Sequence, residues 1–129
     1  MFLVPTELRP SPIHGIGVFL VAPVKKGELI WRFDSRIDRA YTEAEIESLP
    51  PMMQDYMKKY AVWHEPTKLW MYCGDNARYC NHADDATTTS LGGTFMDDIA
   101  PHDLKAGEEI TANYRVICDK ARLTGELYR

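Results

Sequence analysis

The chain has 129 residues, 45% of them hydrophobic and 26% charged, with a formal net charge of −4. That length makes one domain whose core needs no staples, and the balance of apolar and charged residues excludes a disordered or fibrous chain. The acidic balance argues against a general nucleic-acid binder, which needs a basic face to displace phosphate counterions, and apolar runs such as Val18–Ala22 are far too short to span a membrane.

The opening Met1-Phe2-Leu3-Val4-Pro5 has neither the basic flank nor the long apolar stretch of a secretion signal. Cys73, Cys80 and Cys118 cannot all pair with one another, so reduced thiols are expected. A cytoplasmic location follows, or a nuclear one if the source is eukaryotic. Gly15-Ile16-Gly17 leads into a strand over Gly17–Val21, and Lys25-Lys26-Gly27-Glu28 forms a turn into a second strand, Glu28–Phe33. Thr42 and Glu45 make a capping box that starts a helix, which Pro50-Pro51 ends. Pro51 opens a second helix, where Met52, Met53, Tyr56, Met57 and Tyr60 form an apolar stripe assigned to packing.

Strands are next expected over Lys68–Cys73, Thr87–Ser90 and Thr94–Asp97, the last two joined by a hairpin at Leu91-Gly92-Gly93. Lys105-Ala106-Gly107-Glu108-Glu109-Ile110 echoes the earlier Lys25–Ile30 turn and feeds a strand over Glu109–Asn113. Lys120–Tyr128 is a weaker helix candidate, interrupted by Gly125. Many short strands around a helical insertion at about 42–62 define an α+β, mostly β, single domain. Between Met71 and Tyr114 there is an excess of six negative charges, which would favour a cationic partner in a cleft but equally describes a solvated acidic face.

Three segments carry chemistry. The turn at His14-Gly15-Ile16-Gly17 lets backbone approach a ligand, although any tight turn uses glycine in this way. Arg78-Tyr79-Cys80-Asn81-His82 sets an amide beside an imidazole, and these two serve equally as turn former and satisfied core histidine. Gly107-Glu108-Glu109-Ile110-Thr111-Ala112-Asn113-Tyr114 is a turn and a strand ending on a phenol.

In this order and spacing the three resemble the motifs of the SET-domain protein methyltransferases: G-x-G, R-F-x-N-H-S-C-x-P-N and G-E-E-L-T-x-D-Y. The resemblance covers about residues 10–115, with a C-terminal extension over 115–129. It implies the SET fold with a C-terminal pseudoknot and S-adenosylmethionine as cofactor. His14, Gly15, Ile16, Gly17, Arg78, Asn81, His82 and Tyr114 would bind that cofactor, and Tyr114 would be the catalytic tyrosine. The chain departs from the pattern after His82, where Ala83-Asp84-Asp85-Ala86-Thr87 stand in place of Ser-Cys-x-Pro-Asn, and at Asn113, where an acid is usual. No metal is expected: Cys73, Cys80 and Cys118 lack zinc-ligand spacing.

Methyl transfer to an amine needs the neutral amine, and at pH 7 deprotonating a free lysine costs about 4.6 kcal/mol. A narrow apolar channel lowers that cost by disfavouring the ammonium. Trp70, Tyr72 and Tyr79, with Trp63 beside them, are the aromatic candidates for such a channel, each of which could instead pack the core. The expected function is methyl transfer to a lysine of a protein or peptide substrate by a monomer or homodimer, with no direct nucleic-acid or membrane partner. The alternative is a non-catalytic SET-like module that binds S-adenosylmethionine or a basic peptide.

Overall fold

The computed structural model describes residues 1–118. Three small sheets carry the fold. The first holds β1 (Thr6–Pro10), β2 (Ile16–Leu20), β10 (Glu109–Ala112) and β7 (Asn81–His82), in the order β1-β2-β10-β7. The second runs β3 (Leu29–Trp31), β9 (Asp98–Ile99), β8 (Thr89–Ser90), and the third β4 (Arg39–Thr42), β6 (Leu69–Tyr72), β5 (Val62–His64). All pairings are antiparallel except β7 with β10, whose parallel register sets Thr111 against Asn81 and Ala112 against His82.

β2 lies between β1 and β10, which is why Val18, Phe19 and Leu20 are all buried. Val18 and Leu20 join Val24, Ile30, Ala100, Leu104 and Ile110 in one core cluster. Phe19, on the opposite face, is covered by the Arg9 guanidinium 4.7 Å above its ring. The echoed turns sit side by side, since Val24 and Leu104 exchange both backbone hydrogen bonds, at 3.0 and 2.7 Å. They share one construction. Gly27 and Gly107 take φ of 84° and 89°, where a side chain is disfavoured. In each, the glutamate after the glycine accepts from the lysine N–H three residues back: Glu28 from Lys25, Glu108 from Lys105.

Thr42 and Glu45 form the expected capping box on α1 (Glu43–Glu47), and Pro51 opens α2 (Pro51–Tyr60). These helices pack against the third sheet around Ile46, Met57, Val62, Trp63, Trp70 and Met71. The methionine stripe is corrected: Met57 is buried, but Met52 is 75% exposed and Met53 is also exposed. α2 therefore seats one edge only.

Thr94–Asp97 is not a strand. Gly93 and Phe95 have φ of 94° and 69°, so the chain turns there and pairing resumes at Asp98. Leu91–Asp97 is accordingly one long connection, closed by Leu91 N–H donating to Asp97 O at 2.8 Å. β1, β4, β5 and β7 were not expected from composition. β1 is an exposed edge with a proline, and β7 is two residues long. The helix expected over Lys120–Tyr128 lies outside the described residues.

Candidate active site: two cavities that meet at Tyr114

The register places Gly17, Glu109 and Asn81 on one face of the four-stranded sheet. Glu109 stands opposite Phe19, two residues from Gly17 on β2, and Thr111 stands opposite Asn81. Side chains two apart along a strand share a face, so the Glu109 carboxylate reaches both neighbours. It accepts from Asn81 Nδ2 at 2.9 Å and from Ser11 Oγ at 2.8 and 2.9 Å. Asn81 Nδ2 also lies 3.0 Å from His14 O and 3.3 Å from Ile16 O, tying the glycine turn to β7. Ser11 Oγ in turn accepts from Ile13 N–H at 3.0 Å.

The two glycines answer different needs. Gly15 has φ of 49° and open space where a Cβ would stand, so its demand is conformational. At Gly17 a Cβ would lie 2.4 Å from Glu109 Oε2, so its demand is room for the carboxylate.

His82 is buried and its ring is engaged within the protein. Nδ1 accepts from Tyr114 N–H at 3.1 Å, which leaves the neutral ring's proton on Nε2, 3.0 Å from Asp84 Oδ1. The residues that depart from the family pattern thus have local partners: Asp84 takes His82 and Arg115, and the Asn113 side chain caps α3 (Tyr114–Ile117) by accepting from Arg115 N–H at 3.0 Å. Tyr114 is buried, with its ring 5.2 Å from the His82 ring, and its hydroxyl donates a short hydrogen bond to Cys80 O. The segment ending in Tyr114 is laced to the loop after His82 by Thr87 Oγ1 donating to Glu109 O and Thr88 Oγ1 to Thr111 O, each at 2.8 Å.

A cleft of about 260 Å³ lies on one side of Tyr114. Its walls bring together the expected His14, Gly15, Ile16, Arg78, Asn81 and Tyr114 with Tyr79, expected instead in the substrate channel, and with the unexpected Lys59, Tyr60 and Cys80. Gly17 and His82 do not line it. They support the residues that do. On the other side lies a mainly apolar cavity of about 60 Å³, walled by Ile30, Trp31, Val62, Met71 and Phe95, with Asp98 among them. The two spaces share Tyr60, Arg78, Cys80 and Tyr114, which form the partition between them.

The aromatic candidates separate. Tyr79 faces the cleft, its ring 5.6 Å from Tyr60 and 4.6 Å from the Arg78 guanidinium. Trp70 lines neither space. It packs on Trp63 at 5.2 Å and donates to Glu43 Oε2 at 3.1 Å, as a core tryptophan with a satisfied N–H. Tyr72 also lines neither. Its hydroxyl, 3.1 Å from that of Tyr56, is pushed up to about 12 by burial and that hydrogen bond.

The acidic stretch is not one face. Asp75 accepts from Phe2 and Ala77 N–H groups, Asp97 takes a two-pronged bond from Arg32, and Asp103 accepts from Lys26 N–H. Lys59 and the Cys80 carbonyl carried no sequence signal, and Tyr60, assigned to packing, lines the cleft instead, because a helix end and a main-chain oxygen reach it only through the tertiary fold.

Residues 15–115 match the SET domain, and the chain belongs to the SET-domain family. Among solved structures, a Plasmodium falciparum protein described as a candidate histone methyltransferase superposes with a TM-score of 0.62 at 18% identity, over 86% of this chain and 93% of that one. Chaetomium thermophilum Polycomb Repressive Complex 2 bound to S-adenosylmethionine gives 0.68 at 21% identity, over 96% of this chain. A humanized mutant of that complex bound to the inhibitor GSK126 gives 0.67 at 20%. The chain spans 16% of the matched chain in each Polycomb structure. No protein of curated function matches.

Proposed function

We propose that the protein transfers a methyl group from S-adenosylmethionine to the side-chain amine of a lysine in a protein substrate. The observation that carries this reading is the pair of spaces meeting at Tyr114. One is lined by a glycine turn, an amide and two cations. The other is mainly apolar and narrow.

The cleft residues fit the donor's chemistry. Lys59 and Arg78 offer charge to a carboxylate, the Tyr60 and Tyr79 rings offer π faces to a cation or a base, and the His14–Ile16 turn offers main chain. When bound, S-adenosylmethionine supplies an electrophilic methyl on a sulfonium. The chain's own part is to hold both partners in line, where alignment supplies much of the rate. Asn81 and Glu109 keep the turn at its distance from β7. The apolar walls of the second cavity favour the uncharged amine. Tyr114 gives its one hydroxyl proton to the Cys80 carbonyl at the partition, so both oxygens offer acceptors to the N–H groups of an arriving amine. With its proton held by Cys80 O, Tyr114 orients the amine rather than deprotonating it.

The test is labelled S-adenosylmethionine with a mixed protein extract, followed by hydrolysis to identify methyl-lysine. Tyr114→Phe is expected to lower transfer by at least about 100-fold, on the scale of losing an oriented hydrogen-bonding group. Its affinity for S-adenosylhomocysteine, measured by calorimetry, should change little. Full transfer by Tyr114→Phe would overturn the role of Tyr114. Failure of the parent protein to bind S-adenosylhomocysteine would overturn the whole reading.

A further inference from the structure

The apolar cavity contains polar groups that the scheme above does not use. Trp31 and Asp98 stand opposite each other on β3 and β9, so their side chains share a face, and both line the cavity. Trp31 is 5% exposed, and its indole N–H has no hydrogen-bond partner among the described residues. Arg78 Nε–H, in the partition, is likewise buried without a partner among the described residues. The rest of that guanidinium is engaged, with Nη1 on Asp75 O at 3.0 Å and Nη2 on Tyr79 OH at 3.2 Å. Native structures leave few buried donors unpaired, and each calls for an explanation. Asp98 is the one carboxyl among the described residues lining the cavity.

We propose that Asp98 is the proton acceptor of the amine-side cavity: through water held by Trp31 Nε1–H and Arg78 Nε–H, it takes the proton that the target ammonium loses before methyl transfer. This rests on the reading of the two cavities given above. In the step an N–H bond of the alkylammonium breaks, its electron pair stays on nitrogen, and an O–H bond forms on Asp98. The neutral amine is left facing Tyr114. A space of about 60 Å³ is room for a water, and the residues around it carry two donors and one acceptor of the two to four polar partners such a water uses.

The surroundings suit the role. Burial pushes the Asp98 carboxyl up to about 7, with Asp97 adding to the rise, while a Ser90 hydrogen bond and the Met1 ammonium oppose it. Arg32 holds the Asp97 carboxylate. Among the described residues, the other titratable groups facing the cavity are Tyr60, Cys73, Arg78, Cys80 and Tyr114, and burial raises the Cys73 thiol further above its ordinary value. A base that ionises near the working pH balances availability against driving force.

Two measurements test this. The first is the pH–rate profile of Asp98→Asn with whichever extract protein accepts label from the parent. The parent should rise with pH and flatten above about 7. The variant should lose about 100-fold in kcat at pH 7 with little change in KM, and then climb tenfold per pH unit without that plateau. Identical profiles would overturn the proposal.

The second needs no activity and no variant. The Asp98 carboxyl of the parent protein, labelled with ¹³C, is titrated by NMR with n-butylamine as the lysine side-chain probe and 1-butanol as its neutral counterpart. Butylammonium should lower the midpoint by about one unit or more, and butanol should not. An Asp98 indifferent to butylammonium overturns the proposal even where the parent transfers methyl groups. A responsive Asp98 in a protein that transfers none overturns the transferase reading alone.

Discussion

Replacing Gly17 with alanine sets a methyl group 2.4 Å from Glu109 Oε2 and 2.8 Å from its Cδ. The carboxylate cannot yield freely, because Ser11 Oγ and Asn81 Nδ2 hold it within 2.9 Å. Moving it aside gives up hydrogen bonds to a charged group worth roughly 1.5–3 kcal/mol each, so Gly17→Ala should cost about 2–4 kcal/mol. In a domain of this size that lowers Tm by about 10 °C, and S-adenosylhomocysteine affinity should fall with it as the turn loses its tether. Gly15→Ala meets no atom of the described residues within 4 Å and bears only the strain of φ 49°, about 1 kcal/mol.

The decisive measurement is a double-mutant cycle. Glu109→Ala removes the obstructing carboxylate, so adding Gly17→Ala to it should cost far less than in the parent, with a coupling of about 1–3 kcal/mol. Urea denaturation of the four proteins reads this directly. Additive effects would show that Gly17 and Glu109 do not share that space, and the account of the turn would fall with them.

Asp98 also makes stability depend on pH. Its carboxyl is raised from an ordinary 3.8 to about 7, so between those values the folded protein keeps a proton that the unfolded chain releases. Its contribution to stability is full below about pH 4 and is lost as pH rises through 7. Asp98→Asn cannot ionise, so it should gain on the parent by up to roughly 4 kcal/mol at pH 8 and lose that gain by pH 4 in urea denaturation. A constant difference across that range would refute the shift. Thr42→Ala, which removes the α1 cap and its 3.1 Å bond from Glu45 N–H, should cost about 1 kcal/mol. S-adenosylhomocysteine binding should not change, and a calorimetric change would mean that the insertion is coupled to the cleft.

Local chemistry was legible in the residues themselves. The capping box at Thr42 and Glu45, the break at Pro50-Pro51 and the paired Lys25 and Lys105 turns depend on groups a few residues apart, and all formed where the sequence indicated. The three motifs were likewise enough to name the family. Partners distant in sequence were not legible. That Glu109 lies under Gly17, that His82 turns toward Asp84 rather than the cleft, and that Trp70 is core while Tyr79 faces the cleft follow from strand register and sheet order. A shift of one residue in a strand exchanges the two faces of the sheet. Which side chains share a cavity is therefore settled by pairing across 28 residues from Asn81 to Glu109, or 67 from His14 to Asn81. No local pattern of spacing records such a distance.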